Sequence, residues 1–124
     1  MATPKLSRLE LLLPVQIFLP GEDYTLDFVE PESELLEGND ALTHLNTGKV
    51  YLRAGLSATR LFNLVWHEVT HCVNYAARLD DESTEEEFTT AHGFVWPAFL
   101  LMNPNFYRWI SECIDRINLE RDIG

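Results

Sequence analysis

The sequence predicts an α+β domain in which a short N-terminal β-sheet packs on a helical half. Three observations carry this. Ahead of residue 54, apolar and polar residues alternate between Gly and Pro turn signals, the period of strands. From residue 57 onward, apolar residues recur three and four apart, the period of helices. No internal repeat or linker separates the halves, so residues 1–124 read as one domain with a shared core.

The elements follow in order. Lys5 and Arg8 precede an apolar run at residues 11–19 that faintly resembles a secretory leader. Glu10, Pro14 and Gln16 interrupt it and no small-residue cleavage site follows, so it reads as the first strand and the protein as cytoplasmic. Within it Val15, Ile17 and Leu19 alternate with Gln16 and Phe18, and Pro20-Gly21 gives a turn. Residues 24–29 form a second strand with Leu26 and Phe28 on one face. Residues 30–40 are acidic, with Pro31 and Gly38, and read as a loop or short irregular helix. Residues 42–45 and 49–53 flank Asn46-Thr47-Gly48, a hairpin pattern that puts Val50 and Leu52 on one face.

Three helices come next. Ser57 or Thr59 caps the first, whose apolar positions Leu61, Val65, Val69, Cys72 and Ala76 run to an end near Leu79. Ser83 caps the second, and Glu85, Glu86 and Glu87 suit the positive end of its dipole. Phe88, Ala91, Val95, Ala98 and Met102 form its core stripe, with a bend expected at Gly93 and Pro97. Asn103 caps the third, Pro104 takes its first position, and Phe106, Ile110, Cys113, Ile114 and Ile117 line its core face. Cys72 and Cys113 lie on apolar faces and read as buried thiols.

Charge narrows the function. Nine basic residues against twenty acidic ones leave a net charge of −11, which excludes a nucleic-acid partner. No segment approaches the roughly 20 apolar residues of a membrane span. The acidic runs at residues 30–40 and 80–87 suit solvated loops and helix starts. Their alternative use is in an acidic protein that occupies a partner's basic groove.

One pattern carries chemistry. His67 and His71 are four apart on a helix, so both imidazoles share a face and reach one metal ion. Zinc is the expected ion, since two imidazoles and a carboxylate suit it. Glu68, beside the first His, is then placed to take a proton from water acidified at that ion. A catalytic site needs a third ligand and an open position. Glu86 is the favoured third ligand, and Glu85, Glu87 and His92 are the alternatives. Glu86 equally fits a capping box with Ser83, and His92 a partner of a ligand or a core-edge residue. Tyr51, His44 and Tyr75 are candidate oxyanion donors, among which spacing selects none. Trp66, Trp96 and Trp109 read as packing groups, not substrate platforms. The strand at residues 49–53, read as an edge, offers a way to align an extended peptide. A closed structural zinc site fits poorly, because Cys72 points about 100° round the helix from His71.

A resemblance rests on the same residues. Residues 66–74 (Trp-His-Glu-Val-Thr-His-Cys-Val-Asn), then Asp80-Asp81-Glu82, Glu85-Glu86-Glu87-Phe88-Thr89-Thr90 and Asn103-Pro104, resemble the small metallopeptidases encoded by phages and prophages. Those are similar to the minimal gluzincins: a short sheet, a helix with His-Glu-x-x-His, and a second helix that supplies a glutamate. The resemblance covers roughly residues 45–110. It implies a zinc-dependent peptidase acting on a peptide or protein in the host cytoplasm. It makes His67 and His71 ligands, Glu68 the general base, and a glutamate just before Phe88 the third ligand. The competing expectation is a non-enzymatic acidic binding protein of phage origin with a structural or vestigial metal site.

Overall fold

Ser7-Arg8-Leu9-Glu10 decides how the chain begins. In the computed structural model, which describes residues 4–123, the expected first strand is divided into helix α1 (Arg8–Leu12) and strand β1 (Gln16–Leu19). The cause is a capping box: Ser7 Oγ accepts from the Glu10 N–H at 3.3 Å, and Glu10 Oε1 accepts from the Ser7 N–H at 2.8 Å. Pro14 then forces Leu13 into an extended conformation and ends the turn. Glu10 is buried, and its other oxygen accepts from the Gly55 N–H at 2.9 Å.

β1 pairs antiparallel with β2 (Glu22–Val29). A 3-10 turn (Glu34–Leu36) interrupts the acidic connection to β3 (Ala41–His44), which forms the expected hairpin with β4 (Lys49–Arg53). The strand order is β1-β2-β4-β3, and β4 runs parallel to β2. β4 is therefore interior to the sheet, which corrects its reading as an edge strand. Alternation in sequence reports which face a strand buries, not which neighbours it takes. The edges of the sheet are β1 and β3. Gly48 closes the hairpin at φ +66°, and a Cβ there would lie 2.6 Å from the Asp23 carbonyl oxygen, so no larger residue fits without displacing β2.

Helix α2 (Ala58–Ala76) is capped by Ser57 and buries Leu61, Val65, Val69, Cys72 and Val73 against the sheet and the other helices. Arg78 takes a left-handed conformation just past its end. Helix α3 (Glu85–Met102) starts one residue later than expected. Its capping box joins Thr84 and Glu87, not Ser83 and Glu86, and the Thr84 N–H holds the Glu87 carboxyl below its usual range. Ser83 instead accepts from the Asp80 N–H. Pro97 lies inside α3, so the Gly93 carbonyl has no backbone donor one turn on.

Asn103 ends α3 as its C-cap and joins it to helix α4 (Pro104–Ile123), but its side chain does not cap α4 as expected. Its backbone carbonyl accepts from the Phe106 and Tyr107 N–H groups. The buried side chain accepts from the Phe18 N–H at 2.8 Å and donates to the Phe18 carbonyl at 2.6 Å and the Phe99 carbonyl at 2.8 Å. Met102 and Ile114, expected in the core, are 42% and 46% exposed. Phe99 and Trp109 are buried instead, in line with the larger apolar area an aromatic removes from water. Among the described residues no helix is long and apolar enough to cross a membrane.

Two consequences are measurable. Tyr24 is buried and its hydroxyl has no hydrogen-bond partner among the described residues; burial pushes its pKa up. Tyr24→Phe should leave stability unchanged or raise it by up to about 1 kcal/mol in urea unfolding. Cys72 and Cys113 are buried as expected, and burial pushes both thiols up from 9.0 to about 12. Below pH 9.0 these thiols leave stability unchanged. Above it the unfolded chain loses their protons first, so stability falls as pH rises toward about 12. Iodoacetamide at neutral pH should label neither thiol in the folded protein and both in urea.

Candidate metal centre

The rotation of α2 places the motif. Its apolar stripe faces the core, so Val69 turns inward while His67 and His71 stand exposed on the outer face. Their Nε2 atoms are 3.2 Å apart with the rings nearly perpendicular. Two nitrogens at 2.0–2.1 Å from one tetrahedral ion would be about 3.3 Å apart. The pair thus has the spacing of two ligands to one zinc ion.

Glu68 turns the other way and is only 7% exposed. Its Oε1 accepts from the Thr43 hydroxyl at 2.8 Å, and its Oε2 lies 3.8 Å from His67 Nε2. Donor atoms of His67, Glu68 and His71 all lie within 4.8 Å of one another, the grouping of this kind found among the described residues. The two imidazoles are donors that zinc accepts, and the Glu68 carboxylate stands beside them, held by Thr43. Thr43 was not singled out in the sequence, and nothing there marks it: β3 and α2 are 25 positions apart at this contact.

The other candidates are placed as follows. Glu86 is exposed in the first turn of α3 and lines a cavity with Ala77, Leu79 and Thr90, apart from the imidazole pair. Glu85 is exposed there too, and the Glu87 carboxylate is engaged by the Thr84 N–H. His92 packs against α2: its Nδ1 accepts from the Trp96 indole N–H at 3.1 Å, and its Nε2 lies 2.6 Å from Asn74 Oδ1. Both ring nitrogens are occupied, which leaves His92 none for a metal. His44 and Tyr51 contact each other edge-on across the β3–β4 hairpin. Tyr75 lines a cavity that also includes His71.

Two cavities meet at the pair. One, of about 700 Å³, is walled by Phe62, Trp66 and Ile110 and lipped by His67, Thr70, His71 and Asn74. Trp66 stacks on Trp96 at 4.9 Å with planes 5° apart, and Phe62 stacks on Trp109 at 6.0 Å. Trp66 therefore packs on Trp96, as expected, but it is also 38% exposed and forms an apolar wall of the cavity, contrary to the expectation from sequence. The second cavity, of about 570 Å³, shares His71 and Asn74 and adds Tyr75, Asp80 and Asp81. Asn74 was likewise not singled out, although it is seven residues from His67 and three from His71, on the same helical face.

Comparison with protein-family models, with curated proteins and with solved structures finds no match.

Elemental analysis after zinc is supplied should find about one zinc per chain in the wild type. His67→Ala and His71→Ala should lose it. Glu86→Ala should keep it, because that carboxylate stands apart from the pair; loss in this variant would mean that the first turn of α3 closes on the imidazoles.

Proposed function

We propose that the protein is a zinc-dependent peptidase in which His67 and His71 hold the metal and Glu68 is the general base. One observation carries this reading: two imidazoles converge at ligand spacing beside a buried, tethered carboxylate. Bound zinc supplies Lewis acidity, polarising a peptide carbonyl and acidifying water. The chain's own residues do the rest. The Thr43 hydroxyl holds one Glu68 oxygen, so the other faces the imidazole side in a fixed position. A base already aimed needs no reorganisation when it accepts the proton of the attacking water. The Phe62–Trp66 wall gives an apolar substrate side chain a place to bury beside the reacting bond.

The sheet supports the same reading with a changed part. β4 is interior; β3 is an edge strand, as β1 is at the other end of the sheet, and β3 carries Thr43. A peptide added along β3 would lie next to the Glu68 tether. The α+β arrangement, with the motif helix packed on a sheet, accords with a minimal gluzincin. Glu86 enters this proposal as a ligand only if α3 moves toward the pair.

The competing reading is an acidic binding protein, which the net charge of −11 favours. Glu68→Gln separates the two. In a peptidase it should keep zinc and fold but lower hydrolysis of a peptide mixture by about 10²–10⁴-fold, read by mass spectrometry. Unchanged cleavage in Glu68→Gln, or no cleavage by the zinc-loaded wild type, would favour the binding protein.

A further inference from the structure

The larger cavity contains a hydrogen-bond donor that the reaction above does not use. Asn74 lines both cavities, one turn beyond His71. Its orientation follows from its partners. The Trp96 indole nitrogen only donates, and it lies 3.1 Å from His92 Nδ1. Nδ1 is therefore an acceptor, and the imidazole is neutral with its single proton on Nε2. Nε2–H then donates to the Asn74 atom 2.6 Å away, which must be the carbonyl Oδ1. With Oδ1 turned to His92, the NH2 of the amide is the part left to face the cavities. Among the described residues no hydrogen bond uses that NH2. Thr70, the neighbouring hydroxyl, donates to the Trp66 carbonyl at 2.7 Å and so offers the cavity an acceptor only.

We propose that Asn74 is a substrate-binding residue whose amide N–H holds a peptide carbonyl oxygen, and that Trp96 and His92 are positioning residues that keep the amide turned that way. The ligand class is an acyl or peptidyl group with a large apolar side chain: the side chain lies on the Phe62–Trp66 wall and the carbonyl on Asn74. This deepens, and rests on, the reading of the cavity as a peptide site. An anchor needs only the acceptor oxygen toward His92, whereas a donor needs the NH2.

Asn74→Asp distinguishes the two roles, because it keeps the acceptor for His92 and removes the N–H. The probe is N-acetyl-L-phenylalaninamide, titrated into the zinc-supplied protein and followed by NMR. In the wild type the Asn74 side-chain amide signals should shift on titration, and the histidine ring spectrum should show His92 protonated on Nε2. In Asn74→Asp the affinity should fall about tenfold. Trp96→Phe should mix the His92 tautomers and weaken the probe severalfold. Equal affinity in wild type and Asn74→Asp, or no binding to the wild type, would overturn the assignment. If the wild type cleaves no peptide while probe binding still depends on Asn74, the peptidase reading fails and this assignment stands.

Discussion

The rotational setting of α2 is the constraint on which the site depends. Leu61, Val65, Val69 and Cys72 are fully buried, and burying one such side chain is worth about 1.5–3 kcal/mol for the larger members. Turning the helix by one residue would expose that stripe. Side chains at the intervening positions therefore have no choice of direction. His67 and His71 are held outward, side by side, while Glu68 is drawn toward the sheet. The paired imidazoles and the inward carboxylate are consequences of apolar packing on the opposite face.

Three buried polar side chains then tie distant segments to this frame. Glu10 joins α1 to Gly55 at the entry to α2, Glu68 joins α2 to β3, and Asn103 joins the α3–α4 junction to β1. Each spans a long stretch of sequence, and each is buried with its hydrogen bonds made. A buried carboxylate or amide without partners costs several kcal/mol, so these contacts select one arrangement of sheet and helices over near alternatives. The Glu68–Thr43 bond has a second role, since the same bond that satisfies the buried oxygen orients the carboxylate beside the imidazoles. Aromatic stacking acts alongside it: Trp96 and Trp109 stack on Trp66 and Phe62, the cavity wall, and stiffen it.

Much was legible in the chain itself. Short-range periodicity determined the α+β class, the hairpin around Asn46-Thr47-Gly48, the helix that begins after Ser57, the restart at Pro104 and the two buried cysteines. The pairing of His67 with His71 also follows from sequence, because a spacing of four residues on a helix puts two side chains on one face in any helical fold. Local competition was harder to read. Ser7 with Glu10, and Thr84 with Glu87, are capping boxes written in four residues, yet an apolar run and an adjacent serine pointed elsewhere.

Only the tertiary structure decided the rest, and the reason is the same in each case: these contacts join residues with no fixed relation in sequence. β4 became an interior strand because it runs parallel to β2, a choice that alternation cannot encode. Thr43 reached Glu68, and His92 was taken up by Trp96 and Asn74 and so left no nitrogen for a metal. Glu86 was set apart from the imidazoles by where the α2–α3 connection places the first turn of α3. The sequence by itself determined which two side chains could meet on one helix. The packing of sheet against helices decided which groups from elsewhere stand beside them.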